Sequence, residues 1–153
     1  NRNDVLFCSL PGEPENAFPY FLGFADETGA GEGEGFNVNY PMPEGTPYSV
    51  WSGALADAMG RIRDYGADAL VISLGVDTFK EDPISFFKLE SDDYLTRGTA
   101  IAGLNLPTAF IMEGGYAIEE VGINTVNVLQ GFLDASSRVS DLIRNLSRCR
   151  LRL

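Results

Sequence analysis

The sequence of 153 residues contains no histidine. Without an imidazole, these residues alone cannot form a Ser-His-Asp triad, a zinc site with a histidine ligand or a haem site with a proximal histidine. Any chemistry that they perform by themselves must come from Asp, Glu, Tyr, Lys, Arg or Cys side chains.

Basic residues are also scarce, because 11 Lys and Arg face 22 Asp and Glu and leave a net charge of −11. Phosphate binding needs clustered Lys and Arg, so this balance argues against a nucleic-acid partner and against anionic membranes. A cationic small molecule would suit the charge, although an acidic surface also serves solubility alone. The charge is uneven, since residues 136–153 carry +4 and residues 1–135 carry −15.

Cysteine is limited to Cys8 and Cys149, which do not make a disulfide framework and predict a reducing, cytoplasmic compartment. No apolar run approaches the length of a membrane span, and the polar N-terminus is not a signal peptide. The sequence begins NRND without a methionine, directly before an apolar run, which predicts a start inside a longer protein. The 44% of hydrophobic residues suits one ordinary domain.

The order of apolar runs and helical spacings predicts an α/β fold with a mostly parallel sheet and right-handed crossovers. Strands are predicted at residues 5–10, 36–41, 69–74 and 107–112, and all but the second of these are expected to be buried. Helices are predicted from the N-cap Thr46 to Tyr65 with Gly66 as the stop, over 92–103 after the cap Ser91, and over 118–134.

Two segments lie outside these elements. Residues 11–35 are rich in Pro and Gly and predict a long loop, which is either functional or a plain connector. Residues 136–153 are predicted to follow the main domain of residues 1–135 as an Arg-rich amphipathic helix or a frayed end.

Polar residues follow three of the predicted strands, at residues 9–12, 75–83 and 113–116, where α/β sheets bind their ligands. Asp77 comes soon after its strand, so its carboxylate either binds a metal, acts as a base or caps a turn. Gly114 and Gly115 would let the backbone approach a ligand, with the phenol of Tyr116 at the same edge. The alternative is a glycine turn with Tyr116 in the core.

The motifs SLGVDTFKEDPISFFKL (73–89) and MEGGY (112–116) closely resemble acetylpolyamine amidohydrolases, bacterial relatives of the histone deacetylases with the arginase/deacetylase fold. FPYFLG (18–23), ADETG (25–29), NYP (39–41) and GTPYSVW (45–51) resemble the same family in the same order. The resemblance extends over residues 1 to about 135 and implies the C-terminal half of that fold.

The resemblance also implies roles for individual residues. Asp77 matches a ligand of the catalytic zinc, and Tyr116 matches the phenol that polarises the amide carbonyl and stabilises the oxyanion. Phe18 matches a wall of the substrate tunnel, and Gly114 and Gly115 match its floor. Ser9 and Leu10 match positions whose oxygens bind a monovalent cation. The implied reaction is the attack of zinc-activated water on the N-acetyl group of an acetylpolyamine or acetyl-lysine.

The resemblance further implies that the family's Asp-x-His zinc ligands and its tandem histidine bases lie upstream of the matching region. Within that region, Pro11 and Phe24 stand where close relatives are expected to have histidine. We therefore expect a truncated or degenerate deacetylase that binds no zinc and is inactive alone. The alternatives are a non-catalytic protein that oligomerises or binds cationic small molecules, and a partner chain that supplies the histidines.

The family sheet places the Asp-x-His strand between residues 5–10 and the pair formed by 69–74 and 107–112. Without that strand, the neighbouring strands must either pair directly or be covered by another protomer. The resemblance therefore predicts a homo-oligomer or a rearranged sheet.

Overall fold

Six short strands and three α-helices follow one another along the chain in a computed structural model, which describes the backbone of residues 1–149 and the side chains of residues 1–136. The strands are β1 (Phe7–Ser9), β2 (Asn37–Asn39), β3 (Thr46–Pro47), β4 (Leu70–Leu74), β5 (Phe87–Lys88) and β6 (Thr108–Met112). The helices are α1 (Tyr48–Tyr65), α2 (Ser91–Ala102) and α3 (Val121–Cys149).

All strand pairs are parallel, and the predicted α/β class is confirmed. β1 pairs with β2, β3 with β5, and β4 with β6. The longest ladder runs from Leu70 opposite Thr108 to Leu74 opposite Met112. Within residues 1–149, the three pairs form separate two-stranded sheets, so direct pairing of β1 with β4 does not occur.

The hydrophobic core lies on one side of the β4–β6 pair. Phe110 on β6 packs edge to face on Phe132 of α3, with 5.1 Å between the ring centroids. Leu74 on β4 joins the same cluster. The buried members of this cluster are Met42, Trp51, Leu74, Val76, Phe79, Phe87, Leu89, Tyr94 and Val128.

The strands at 5–10, 69–74 and 107–112 exist, but the expectation that they are buried is wrong. Val71 and Ile111 are exposed, because in the described part of the chain only one face of β4–β6 is covered. Phe7 on β1 is exposed as well. A continuous apolar run predicts a strand whose side chains can be buried on both faces of a sheet. It does not show whether another element covers each face.

The helix ends differ from prediction by a few residues. α1 begins at Tyr48, because Thr46 and Pro47 pair with β5 and the Thr46 hydroxyl donates to the Pro43 carbonyl. Gly66 ends α1 in the left-handed conformation, as predicted. The cap of α2 is Glu90 rather than Ser91, in a reciprocal arrangement with Asp93.

The third helix begins at Val121 instead of residue 118 and continues to Cys149, past the predicted end at Asp134. It therefore runs through the predicted boundary between residues 135 and 136. Residues 150–153, and every side chain of the Arg-rich segment beyond residue 136, lie outside the described part, so the two-part division stays a prediction. No helix of residues 1–149 is long and apolar enough to cross a membrane.

Candidate active site

The carboxyl ends of β4 and β6 lie side by side, and the loops that follow them touch. The Glu113 N–H donates to the Leu74 carbonyl at 3.0 Å, and the Val76 N–H donates to the Gly114 carbonyl at 2.8 Å. The backbone pairing thus continues past both strands. It brings the Asp77 loop beside the loop that carries Tyr116.

Asp77 is half-buried against Gly114. A Cβ atom at Gly114 would collide with the Asp77 carboxylate, and a Cβ atom at Gly75 would lie only 3.0 Å from its Oδ1. Burial raises the pKa of the Asp77 carboxyl, and the negative charge of Asp82 raises it further. The two glycines therefore leave room for a carboxylate in a place where its charge is costly.

Tyr116 lies at the surface of this site and not in the core. It follows Gly115, whose φ of +149° disfavours any other residue and whose missing side chain leaves space for Val76 and Val121. The Tyr116 side chain is 55% exposed. Among the described residues its hydroxyl has no hydrogen-bond partner, so the phenol is free to meet a ligand.

Asp82 connects the Asp77 loop to the Tyr116 loop. Its Oδ2 accepts hydrogen bonds from the N–H groups of Tyr116 and Ala117, at 2.6 and 3.0 Å. It belongs to the Asp77 loop, so these bonds fix that loop to the Tyr116 loop. From the sequence, Asp82 stood out only as one of several polar residues after a strand.

Two side chains of α2 support the Asp77 loop. The Arg97 guanidinium donates to the Gly75 carbonyl at 3.0 Å and lies 5.1 Å from the centre of the Trp51 ring. The Tyr94 hydroxyl donates to the Val76 carbonyl at 3.0 Å and also contacts the Thr78 hydroxyl. Burial lowers the pKa of Arg97 and raises that of Tyr94.

Neither residue was selected from the sequence. Their spacing in the sequence does indicate that they are buried, because Tyr94 and Arg97 share one helix face with the buried Ile101. An arginine on the buried face of a helix indicates a polar partner in the core.

Phe18 lies in the long loop after β1 and is 81% exposed. Among the described residues its only ring partner is Tyr20, in an edge contact of 6.3 Å. Gly12, earlier in the same loop, lies against both Ala17 and Phe86, the latter in the Asp77 loop. The structure thus joins the Phe18 loop to the site through Phe86, without a direct bond from Phe18 to Asp77 or Tyr116 among the described side chains.

β1 ends at Ser9, with Leu10 directly after it, and belongs to a different sheet from the β4–β6 ladder. The Ser9 hydroxyl donates to Asn39 Oδ1 at 2.7 Å, and the Ser9 carbonyl accepts the Tyr40 N–H at 2.9 Å. Asn39 is buried and also donates to the Phe24 carbonyl at 3.0 Å. Leu10 packs against the core. Of the two residues proposed to bind a cation, Ser9 therefore lies in a polar network with Asn39, which the sequence analysis did not identify.

Comparison with known proteins shows the family of the chain. The sequence model of the histone deacetylase domain matches residues 1–132. This chain belongs to the histone deacetylase family.

The relatives of this histone deacetylase-family chain include the acetylpolyamine amidohydrolases named in the resemblance. It is 62% identical over 135 residues to acetylpolyamine amidohydrolase 1 of Pseudomonas aeruginosa and 58% identical over 130 residues to the acetylpolyamine amidohydrolase of Mycoplana ramosa. These matches cover 88% and 85% of this chain, but only 39% and 38% of the relatives.

A crystal structure of acetylpolyamine aminohydrolase from Burkholderia pseudomallei superposes with a TM-score of 0.85 at 42% identity. The superposition covers 88% of this chain and 39% of that one. The chain thus spans about two-fifths of the length of the relatives it matches, and its part of the fold is that of a histone deacetylase.

The zinc site implied by the family resemblance does not fit the described residues alone. Among the described side chains, no group of three or more His, Cys, Asp or Glu lies close enough together to hold a metal ion. A protein zinc site needs at least three ligands, and the candidate site supplies only Asp77, because backbone N–H groups already occupy the Asp82 carboxylate. The chemistry that these residues can offer by themselves is one carboxylate and one free phenol on adjacent loops.

Proposed function

We propose that this chain is the part of an amidohydrolase that carries Asp77 and Tyr116, and that the complete enzyme removes acetyl groups from acetylated polyamines or acetyl-lysine. The observation that carries the proposal is the shared edge where Asp77 and Tyr116 follow two adjacent parallel strands. The named relatives at 62% and 58% identity support the substrate class.

In this proposal, the side chains of the site have separate tasks. The Tyr116 phenol donates a hydrogen bond to the amide oxygen, where negative charge develops when the carbonyl is attacked. Gly114 and Gly115 keep the backbone beside Asp77 free of side chains that would block the acetyl group, and Phe18 forms an apolar wall for the alkyl chain. Asp77 is proposed as one ligand of a metal whose other ligands these residues do not supply.

We further propose that the 153 residues alone do not hydrolyse the substrate. General-base catalysis of amide hydrolysis needs a group that accepts a proton near neutral pH, and histidine is absent from the sequence.

Ser9 and Leu10 remain the proposed cation ligands, with Asn39 holding the Ser9 hydroxyl in place. We place the protein in the cytoplasm, where acetylated polyamines and reduced cysteines would both occur.

A chimaera tests the proposed function. The residues of the P. aeruginosa relative that align with this chain are replaced by the residues found here, and hydrolysis of an N-acetylated diamine is measured. The chimaera should be active, whereas the isolated chain should not. Tyr116→Phe in the chimaera should lower kcat by about 100-fold or more, because it removes one oxyanion donor.

Two controls make this result specific. Tyr65→Phe removes a hydroxyl that donates only to the Asn3 carbonyl among the described residues, and it should leave the rate unchanged. Asp77→Asn should abolish activity together with zinc binding. Turnover by the isolated chain, or a folded chimaera in which Tyr116→Phe has no effect, would contradict the proposal.

The acidic charge favours a second candidate, a non-catalytic protein that binds cationic small molecules. Residues 1–135 carry a charge of −15, and the site has an exposed phenol beside a carboxylate. Calorimetric titration of the chain with spermidine and with zinc separates the candidates. Tight binding of spermidine in the absence of zinc favours the second one, and no binding of either ligand favours the incomplete enzyme.

A further inference from the structure

Asp82 is a buried carboxylate bound by backbone groups from two loops. Its side chain accepts the N–H groups of Tyr116 and Ala117 on Oδ2 and the N–H of Ile84 on Oδ1, the last at 3.1 Å. The residue is 6% exposed, and none of the ion pairs among the described side chains includes it. Three N–H donors therefore replace the water that this carboxylate loses on folding.

The position of Tyr116 depends on this contact more than on its own side chain. Its ring is more than half exposed and makes no ring contact or side-chain hydrogen bond among the described residues. Gly115 directly before it has φ +149°. Because glycine has no side chain, it restrains the backbone less than other residues do. The backbone N–H groups of Tyr116 and Ala117 are thus the nearest fixed points to the phenol.

The same contact also sets the separation of the two functional residues. Asp82 lies five residues after Asp77, and its own N–H donates to the Phe79 carbonyl at 3.0 Å within the same loop. The backbone of Asp82 is bonded within the Asp77 loop, and its carboxylate is bonded to the Tyr116 N–H. Asp82 therefore links the positions of Asp77 and Tyr116. A misplacement of about 1 Å in such a pair can reduce a rate about 100-fold.

We propose that Asp82 is a positioning residue for Tyr116: its carboxylate holds the Tyr116 backbone so that the phenol stays at a fixed distance from Asp77. The contact itself is independent of the enzyme's activity, whereas its catalytic consequence rests on the function proposed above.

The first test follows the backbone amides of the isolated full chain by NMR. In the parent, the Tyr116 and Ala117 amide protons should be shifted downfield and exchange slowly, because they donate to a carboxylate. Asp82→Ala should speed their exchange about tenfold or more. Asp82→Asn keeps one acceptor oxygen and should retain part of the protection, while Asp68→Asn, at an exposed aspartate, should change neither amide.

A selective loss at Tyr116 and Ala117, with the amides of β4 and α2 unchanged, supports the proposal. Unchanged exchange at those two amides would overturn it. An equal loss of protection over the whole chain in both Asp82 variants would also overturn it, because Asp82 would then support the fold without any particular effect on Tyr116.

The second test measures kcat and KM in the chimaera. Asp82→Ala should lower kcat by about 100-fold with KM nearly constant, since Asp82 does not touch the substrate, and Asp82→Asn should restore part of the rate. A rise in KM with unchanged kcat would overturn the positioning role. An inactive parent chimaera would overturn the proposed function and the catalytic consequence with it, while the amide test still decides whether Asp82 holds the loop.

Discussion

Asp77 and Asp82 lie in one loop and have opposite environments. Asp82 is surrounded by backbone N–H groups, which stabilise its negative charge. Asp77 lies against two glycines, and burial followed by the charge of Asp82 raises the pKa of its carboxyl. A carboxylate kept where its charge is unfavourable does little for the fold, and such groups concentrate at functional sites. This contrast supports the proposals that Asp82 holds the loop and that Asp77 takes part in the chemistry.

Tyr40 shows a different effect of a neighbouring carboxylate. Its hydroxyl donates to Asp57 Oδ2 at 2.6 Å, and Arg61 donates to the same oxygen at 2.9 Å. Burial, and then the hydrogen bond to Asp57, raise the pKa of Tyr40 to about 12. The phenol therefore stays protonated in the folded chain at a pH where it ionises in the unfolded chain.

This shift predicts a loss of stability at high pH. The unfolded chain releases the Tyr40 proton near pH 10 and the folded chain only near pH 12, so the contribution is complete below pH 10 and is lost on going up to pH 12. Urea unfolding between pH 9 and 12 should show a smaller decline for Tyr40→Phe than for the parent. Equal declines would contradict the prediction, and Tyr20→Phe, at an exposed tyrosine outside this network, serves as the control.

At the scale of elements, α2 and α3 approach each other through glycine. A Cβ atom at Gly98 of α2 would collide with the Val128 carbonyl of α3, and one at Gly131 of α3 would collide with the Leu95 carbonyl of α2. Because both obstacles are backbone atoms, they cannot rotate out of the way as a side chain can. The contact matters for the site, since α2 carries Tyr94 and Arg97.

We expect Gly98→Ala to lower the free energy of unfolding by about 1–3 kcal/mol, the usual cost of overpacking. The matched control is Gly53→Ala in α1, where no atom lies within 4 Å of the added Cβ. That change should stabilise the chain by about 0.5–1 kcal/mol, because alanine favours the helix. Urea denaturation compares the two, and a Gly98→Ala variant as stable as Gly53→Ala would show that the helices can move apart freely.

The elements themselves were largely predictable, because the patterns that define them are local. The run at 69–74 and the glycine at position 66 gave β4 and the end of α1 to within a residue. The site was predictable in part: Asp77 and Tyr116 follow strands, and the strand-end rule selects them. Asn39 and Arg97 were missed because their partners are hydroxyl and carbonyl groups of distant segments, which no local pattern contains. Exposure was misjudged because it depends on what covers the sheet.

At the scale of the whole molecule, the second face of the β4–β6 pair has no cover among residues 1–136. Val71 and Ile111, on neighbouring strands, are 69% and 51% exposed on that face. Parallel sheets are normally covered on both faces, and an exposed apolar patch favours association. The relatives are more than twice as long as this chain, which spans only about two-fifths of their length.

We therefore predict that the isolated chain forms homo-oligomers through this face. Sedimentation should show a mass that rises with concentration, and Val71→Lys or Ile111→Lys should shift the chain towards the monomer, because a charge on the face would have to be buried on association. Val50→Lys introduces the same charge at an exposed valine of α1 and should leave the association unchanged. Circular dichroism checks that each variant keeps its helices. A parent that is monomeric at every concentration would contradict the prediction, because the uncovered face would then be tolerated in water. Equal dissociation by all three lysine substitutions would also contradict it, because the association would then depend on net charge alone.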